Sequence, residues 1–250
     1  MEPSSIRPSS TWNVSDLKGE INARDFCASI QLTQPEKGVE GVTAFEKLDS
    51  NCHFLGLHNL TDGNPLTDGH HTLDDAYVRG NDLIASFPQS EERSTSSQVY
   101  WRFVDSIEDA FAIDVLISKQ TSFLQSDPSV SVRTTLSDGT IYQIQGESAL
   151  PLQDSDLQCI TEIPFVIYRP RATDACSYVE MVHPSDIVAS ELKSGPNSFE
   201  INHHLFRHEL EKGVIRRGRV RGAFVRRADD VAAAQQLYDQ FVKSPPPLTT

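Results

Sequence analysis

Val130-Ser-Val-Arg-Thr-Thr-Leu-Ser-Asp-Gly-Thr-Ile-Tyr-Gln-Ile-Gln145 holds two short alternating runs, 130–135 and 140–145, on either side of Ser137-Asp138-Gly139. Alternation with period 2 puts apolar side chains on one face of an extended backbone, as in a half-buried strand. Asp-Gly supplies positive φ readily, so the stretch reads as a β-hairpin and predicts antiparallel pairing. The same period recurs to either side. Phe26, Ala28, Ile30 and Leu32 alternate with Cys27, Ser29 and Gln31, and Val99, Trp101 and Phe103 alternate with Gln98, Tyr100 and Arg102. Further strand runs are expected at 111–118, 160–169 and 177–182. Many short strands with little helix between them favour an antiparallel sandwich or barrel over a parallel α/β fold.

One helix is expected, over about 229–243. Val231, Ala234, Tyr238 and Phe241 form a single apolar stripe, Asp229 and Asp230 suit the positively polarised start, and Lys243 with Pro245 suits the stop. A shorter helical turn is expected over 204–212, with Gly213 as its left-handed cap. The expected architecture is all-β: a large antiparallel β-sandwich in one domain, residues 1–250, with a C-terminal α-helix packed on a sheet.

The chain has 250 residues, 22 basic and 35 acidic, and a formal charge of −13. That balance repels phosphate at long range, so no nucleic-acid partner is expected. No segment is apolar enough to span a bilayer and none reads as a secretory signal, so a cytoplasmic protein is expected. Cys27, Cys52, Cys159 and Cys176 are widely spaced and form no Cys-x-x-Cys pair, which argues against a zinc ribbon or redox centre. There is no dinucleotide fingerprint, no Walker A lysine and no Gly-x-Ser-x-Gly elbow. No cofactor or metal is expected, and catalytic residues are not identified.

The charge is unevenly distributed. Residues 207–227 include eight basic and two acidic residues, and Ile215-Arg-Arg-Gly-Arg-Val-Arg-Gly-Ala-Phe-Val-Arg-Arg227 alternates as a strand should. Arg217, Arg219 and Arg221 then form a ridge spanning about 13 Å, with Ile215, Ala223 and Val225 on the same face. Gly218 and Gly222 leave the opposite face shallow, open to close approach by a ring, backbone or ligand. Three readings stay open: the ridge pairs with carboxylates on adjacent strands, it binds an anion, for which the planar guanidinium is well suited, or it forms an oligomer interface. Trp101 belongs to the core by its phase, leaving Tyr100 and Arg102 on the other face. With Arg79 they complete the candidate ligand-binding set.

Two groups of histidines remain. His204 and His208 lie four apart and share a face if 204–212 is helical; if a strand continues instead, His203 and His204 point to opposite faces. His70 and His71 lie in a polar loop with Asp68, Asp74 and Asp75.

The blocks Tyr77-Val-Arg-Gly-Asn-Asp82, Val99-Tyr-Trp-Arg102 and Leu210-Glu-Lys-Gly-Val-Ile-Arg-Arg217 resemble parts of a bacterial protein family without an established activity. At fold level the chain is also similar to galactose mutarotase-like sandwiches. The leading expectation is a non-enzymatic sandwich that binds a carbohydrate or other anionic small molecule through Arg217, Arg219, Arg221, Tyr100, Arg102 and Arg79. The alternatives are a sugar-active enzyme of mutarotase type using a histidine and a carboxylate, or a subunit of a homo-oligomeric assembly.

Overall fold

The computed structural model describes residues 12–23, 25–60, 72–90, 94–104, 109–145, 148–152, 158–160, 163–195 and 198–245. Every strand pair among them is antiparallel, and the strands form two large sheets. The first runs, in spatial order, Trp12–Ser15, Lys18–Ala23, Phe26–Gln31, Val39–Ala44, His53–His58, Val130–Leu136, Ser198–Leu205, Ile187–Gly195 and Gln158–Cys159. The second runs Ser148–Pro151, Gly139–Gln145, Val166–Pro170, Cys176–Val182, Ile215–Arg226, Ala110–Gln120, Ser96–Val104, Asp82–Phe87 and Asp75–Arg79. A β-sandwich results, as the alternating runs predict.

Inward-facing side chains of both sheets merge into one core. Trp101 is fully buried there, in the phase the sequence assigns it. Phe54 lies between Tyr178 and Phe224, with ring centroids 4.6 and 5.1 Å away. Gly222 allows this packing, because a Cβ there would stand 2.6 Å from the Tyr178 hydroxyl. Gly218 similarly faces Leu205 and Phe206. The shallow side of the arginine strand thus receives the protein's own rings.

Ser137-Asp138-Gly139 does not close a hairpin. Val130–Leu136 pairs with Ser198–Leu205 and His53–His58 in the first sheet, whereas Gly139–Gln145 pairs with Ser148–Pro151 and Val166–Pro170 in the second. The turn is a corner that carries the chain between layers. Its glycine is not among the residues with positive φ. It provides close approach instead: a Cβ at Gly139 would stand 2.4 Å from the Tyr168 ring and 2.6 Å from the Arg169 carbonyl. The Tyr168 hydroxyl in turn donates to the Asp138 carbonyl oxygen at 3.1 Å. Gly139→Ala should therefore lower stability by about 1–3 kcal/mol, the usual result of overpacking. Urea unfolding checks this, and an unchanged midpoint would show that the corner has slack.

The expected helix forms over Asp230–Lys243. It lies on the outer face of the second sheet, where Ala234, Leu237 and Phe241 pack against Phe165, Ile167, Val179, Met181, Ala223 and Val225. Val231 and Tyr238 flank that stripe, half buried. Cys52 and Cys176 are buried free thiols and Cys27 is half-buried. Burial pushes the Cys176 thiol up to about 11, so it stays protonated and inert at neutral pH.

Candidate functional site

The six arginine and tyrosine candidates, scattered over 143 positions of sequence, all lie on one face of the second sheet. In an antiparallel sheet, directly paired residues project to the same side. The registers across five strands therefore define rows. One row reads Arg79, Asp82, Arg102, Asp114, Arg221; the next reads Tyr77, Ile84, Tyr100, Leu116, Arg219; the third reads Asp75, Ser86, Gln98, Ser118, Arg217. Trp101 and its neighbours face the core, so these rows occupy the outer face, beside the C-terminal helix.

The first row alternates in charge and is internally satisfied. Asp82 accepts two bonds from Arg102, at 2.7 and 3.0 Å, and lies 3.9 Å from Arg79. Asp114 accepts a bidentate pair from Arg221, at 2.5 and 2.9 Å. Bonding to Asp82 raises the Arg102 pKa above the ordinary guanidinium range, although its partial burial opposes this. The second row is apolar over most of its length: Ile84, Tyr100 and Leu116 form a small buried cluster of their own. At its end Arg219 turns toward the helix terminus. It donates to Asp186 at 3.1 Å, to the Ser244 hydroxyl at 3.3 Å and to the Pro245 carbonyl at 3.3 Å.

Two members of the arginine ridge are thus committed within the molecule. The Arg219 and Arg221 side chains retain only 7% of their exposure, and both guanidinium groups stand over the Phe241 ring, at 5.9 and 4.7 Å. Together they clasp one end of the helix to the sheet. The other end is held by Asp230, which accepts from Arg169 at 2.8 and 2.9 Å and from the Ser177 hydroxyl at 2.6 Å. Arg227 binds the carbonyl oxygens of Thr173 and Cys176 at 3.0 and 2.9 Å. Internal pairing accounts for most of the arginine segment. Arg217 differs: it is exposed and forms no ion pair among the described residues.

Beside Arg217 the outer face opens into a cavity of about 350 Å³. Its floor is the third row, with Ser86, Gln98 and Ser118, continued by Ser96 and Gln120; Tyr100, Pro88 and Ile215 supply apolar walls, and Asp74 closes the far end. Gln98 accepts a short hydrogen bond from the Tyr100 hydroxyl and donates to the Ser86 hydroxyl at 3.2 Å. The Tyr100 hydroxyl has a raised pKa, chiefly from burial and then from Tyr77, while Arg79 and Arg217 pull it down. A protonated phenol, three hydroxyls, two carboxamides and one guanidinium therefore converge on one cleft. Sequence phase could place Tyr100, Arg102 and Arg217 on this face. It could not nominate Ser86 or Ser118, whose only signal is their register with Arg217, nor Gln120, which pairs with Ile215.

The histidines lie elsewhere. The helical turn expected over 204–212 is absent: His203 and His204 continue strand Ser198–Leu205, and Leu210–Glu211 forms a two-residue strand with Gln125–Ser126. They point to opposite faces, the alternative open from sequence. His204 lies 3.6 Å from Glu191 near the surface. His203 enters the core, where its Nδ1 meets the Ser190 hydroxyl at 2.5 Å and its Nε2 lies 3.0 Å from Glu180. Glu180 also accepts from Tyr178 and Thr134, each at 2.5 Å. This network is sealed, with His203 and Glu180 at 4% and 0% side-chain exposure, so no solute reaches it. His70, His71 and Asp68 fall outside the described residues. Among those described, no group of three His, Cys, Asp or Glu side chains is placed to hold a metal, and no helix is long and apolar enough to cross a membrane.

No protein-family model matches the sequence, and no curated protein is detectably similar to it. Solved structures share its fold. A Klebsiella pneumoniae protein provisionally assigned as an aldose 1-epimerase superposes with a TM-score of 0.54 at 8% identity, over 93% of this chain and 87% of its own. The α-N-acetylgalactosaminidase NagBb of Bifidobacterium bifidum, in complex with GalNAc, superposes with a TM-score of 0.51 at 10% identity, over 92% of this chain but 38% of its own. Its ligand-free form gives 0.50 at 12% identity, again over 94% of this chain and 37% of the larger enzyme. The chain spans well under half of NagBb and most of the Klebsiella protein, and it shares its β-sandwich fold with both.

Proposed function

We propose that the protein binds a saccharide in the cleft between Tyr100 and Arg217, without chemistry of its own there. The observation that carries this reading is the composition of the cleft: Ser86, Ser96, Gln98, Ser118 and Gln120 project from three adjacent strands beneath apolar walls. Neighbouring strands lie about 4.8 Å apart and same-face residues about 6.6 Å apart along a strand. Groups that both donate and accept, on a grid of that size, suit a ring carrying hydroxyls on most of its carbons. Sandwiches of the same fold in sugar-acting proteins agree with this reading.

The epimerase alternative asks for a histidine beside a carboxylate at the cleft. Among the described residues Asp74 is there and no histidine is. Among the described residues the closest histidine–carboxylate contact, His203 with Glu180, is sealed between the sheets.

Ser118→Trp provides the test, because its bulk fills the cleft while the half-exposed position bears no core contact. Calorimetric titration with a panel of mono- and disaccharides should show wild-type binding that weakens at least about tenfold in the variant, with an unchanged unfolding midpoint. A tenfold loss corresponds to about 1.4 kcal/mol, the scale of one or two hydrogen bonds. Binding indifferent to Ser118→Trp would remove the cleft from consideration.

A further inference from the structure

Arg217 forms no ion pair among the described residues, and its setting points to a more specific ligand. We infer that the saccharide carries a carboxylate, as a uronic acid does, and that Arg217 is the residue that selects it. This rests on the saccharide-binding reading of the cleft and deepens it.

Across the strand pair Arg217 meets Ser118, and along its own face it lies between Ile215 and Arg219. Arg219 is turned away and neutralised by Asp186. Thus no carboxylate of the described residues compensates Arg217, in a chain with 35 acidic residues and 22 basic ones. The other cations of this face have found such partners: Arg79 and Arg102 share Asp82, and Arg221 holds Asp114. An unpaired guanidinium at the mouth of a polar cavity is preorganised for an incoming anion and needs no internal contact to break.

The cleft is also polarised along its length. Arg217 lines one end and Asp74 the other, across four strand spacings, about 19 Å. A ligand with one anionic end is thereby drawn to the Arg217 side and repelled at the Asp74 side. Its neutral hydroxyls fall over Gln98 and Ser86. Tyr100 and Arg217 line the same cleft, so one sugar-sized molecule can meet both. A carboxylate suits this end better than a phosphate. One planar fork matches one planar monoanion bidentately, whereas a phosphate dianion calls for more cations than the cleft supplies.

Calorimetric titration of wild type, Arg217→Gln and Arg217→Lys with galacturonate, neutral galactose and galactose 6-sulfate tests this. The expected result is wild-type preference for galacturonate, about 10- to 100-fold weaker galacturonate binding in Arg217→Gln, and a much smaller loss, within about threefold, for galactose. Arg217→Lys should fall between them, and wild-type uronate binding should weaken with added salt. Arg217 is exposed, so all three proteins should unfold at the same denaturant concentration, which keeps the comparison free of folding effects. Equal binding of galacturonate and galactose by wild type would overturn the carboxylate assignment and leave the saccharide reading standing. Preference for the sulfate would overturn it in favour of a tetrahedral monoanion. Failure of all three sugars to bind wild type would overturn both.

Discussion

Asp114→Ala should destabilise the protein by about 3–5 kcal/mol, because it leaves the Arg221 guanidinium buried without its counter-charge. The pair is bidentate and mostly enclosed, with side-chain exposures of 13% and 7%. It also underlies the helix, since Arg221 stands 4.7 Å from the Phe241 ring centre and Phe241 anchors the last turn. Losing the carboxylate should loosen that turn as well as the sheet. Equilibrium urea unfolding, followed by tryptophan fluorescence, measures the loss. The double substitution Asp114→Ala with Arg221→Met should recover much of it, because removing both charges eliminates the unpaired ion rather than creating one. A loss below about 1 kcal/mol in the single variant would mean that water or another acid replaces Asp114, and that the clasp matters little.

A comparable effect is expected at the centre of the sandwich. Glu180→Ala removes the acceptor shared by Tyr178, Thr134 and His203. Three polar groups would be left in a region without solvent, at a cost of about 3–5 kcal/mol. The Thr134 hydroxyl oxygen already accepts from the Leu55 amide at 2.9 Å, so its proton has one good destination, the carboxylate. Burial and the adjacent carboxylate push the Tyr178 phenol well above its usual range, which keeps it a donor at every working pH. Glu180→Gln retains shape and one acceptor oxygen, and should cost only about 1–2 kcal/mol. Chemical denaturation of the two variants separates the readings: equal losses would show that volume rather than hydrogen bonding decides at this site. Saccharide affinity should be unaffected in Glu180→Gln, since Glu180 lies on the opposite side of the sheet from the cleft.

The contrast between these sites and the surface cleft reflects what period-2 reading can and cannot reach. Trp101 inward with Tyr100 and Arg102 outward follows from alternation alone, and so does the shared face of Arg217, Arg219 and Arg221. The helix was legible because Ala234 and Phe241 recur at helical spacing, though Leu237 replaced Val231 and Tyr238 at the centre of its buried stripe. Partnership is different. Arg221 finds Asp114 across 107 positions of sequence and Arg219 finds Asp186 across 33, and no local pattern encodes such a match. For the same reason two arginines that look like an exposed ridge are a clasp. Asp138-Gly139 records that the backbone turns but not which sheet receives the next strand. Gly213 does adopt a left-handed conformation, with φ of 83°, yet it caps a turn between strands rather than a helix. Turn chemistry specifies a local conformation, and only the register of distant strands gives that conformation its context.

The position of Ile215–Arg226 has a consequence for how the chain matures. Of the described strands it comes last in chain order, yet it lies in the interior of its layer, joining Cys176–Val182 on one side to Ala110–Gln120 on the other. Until it arrives, the two halves of that layer are separate ribbons with bare hydrogen-bonding edges, the surfaces through which nascent proteins misassemble. The arginine-rich composition of this keystone gives it a second value during biosynthesis: a strand so highly charged resists self-association while it waits to be inserted.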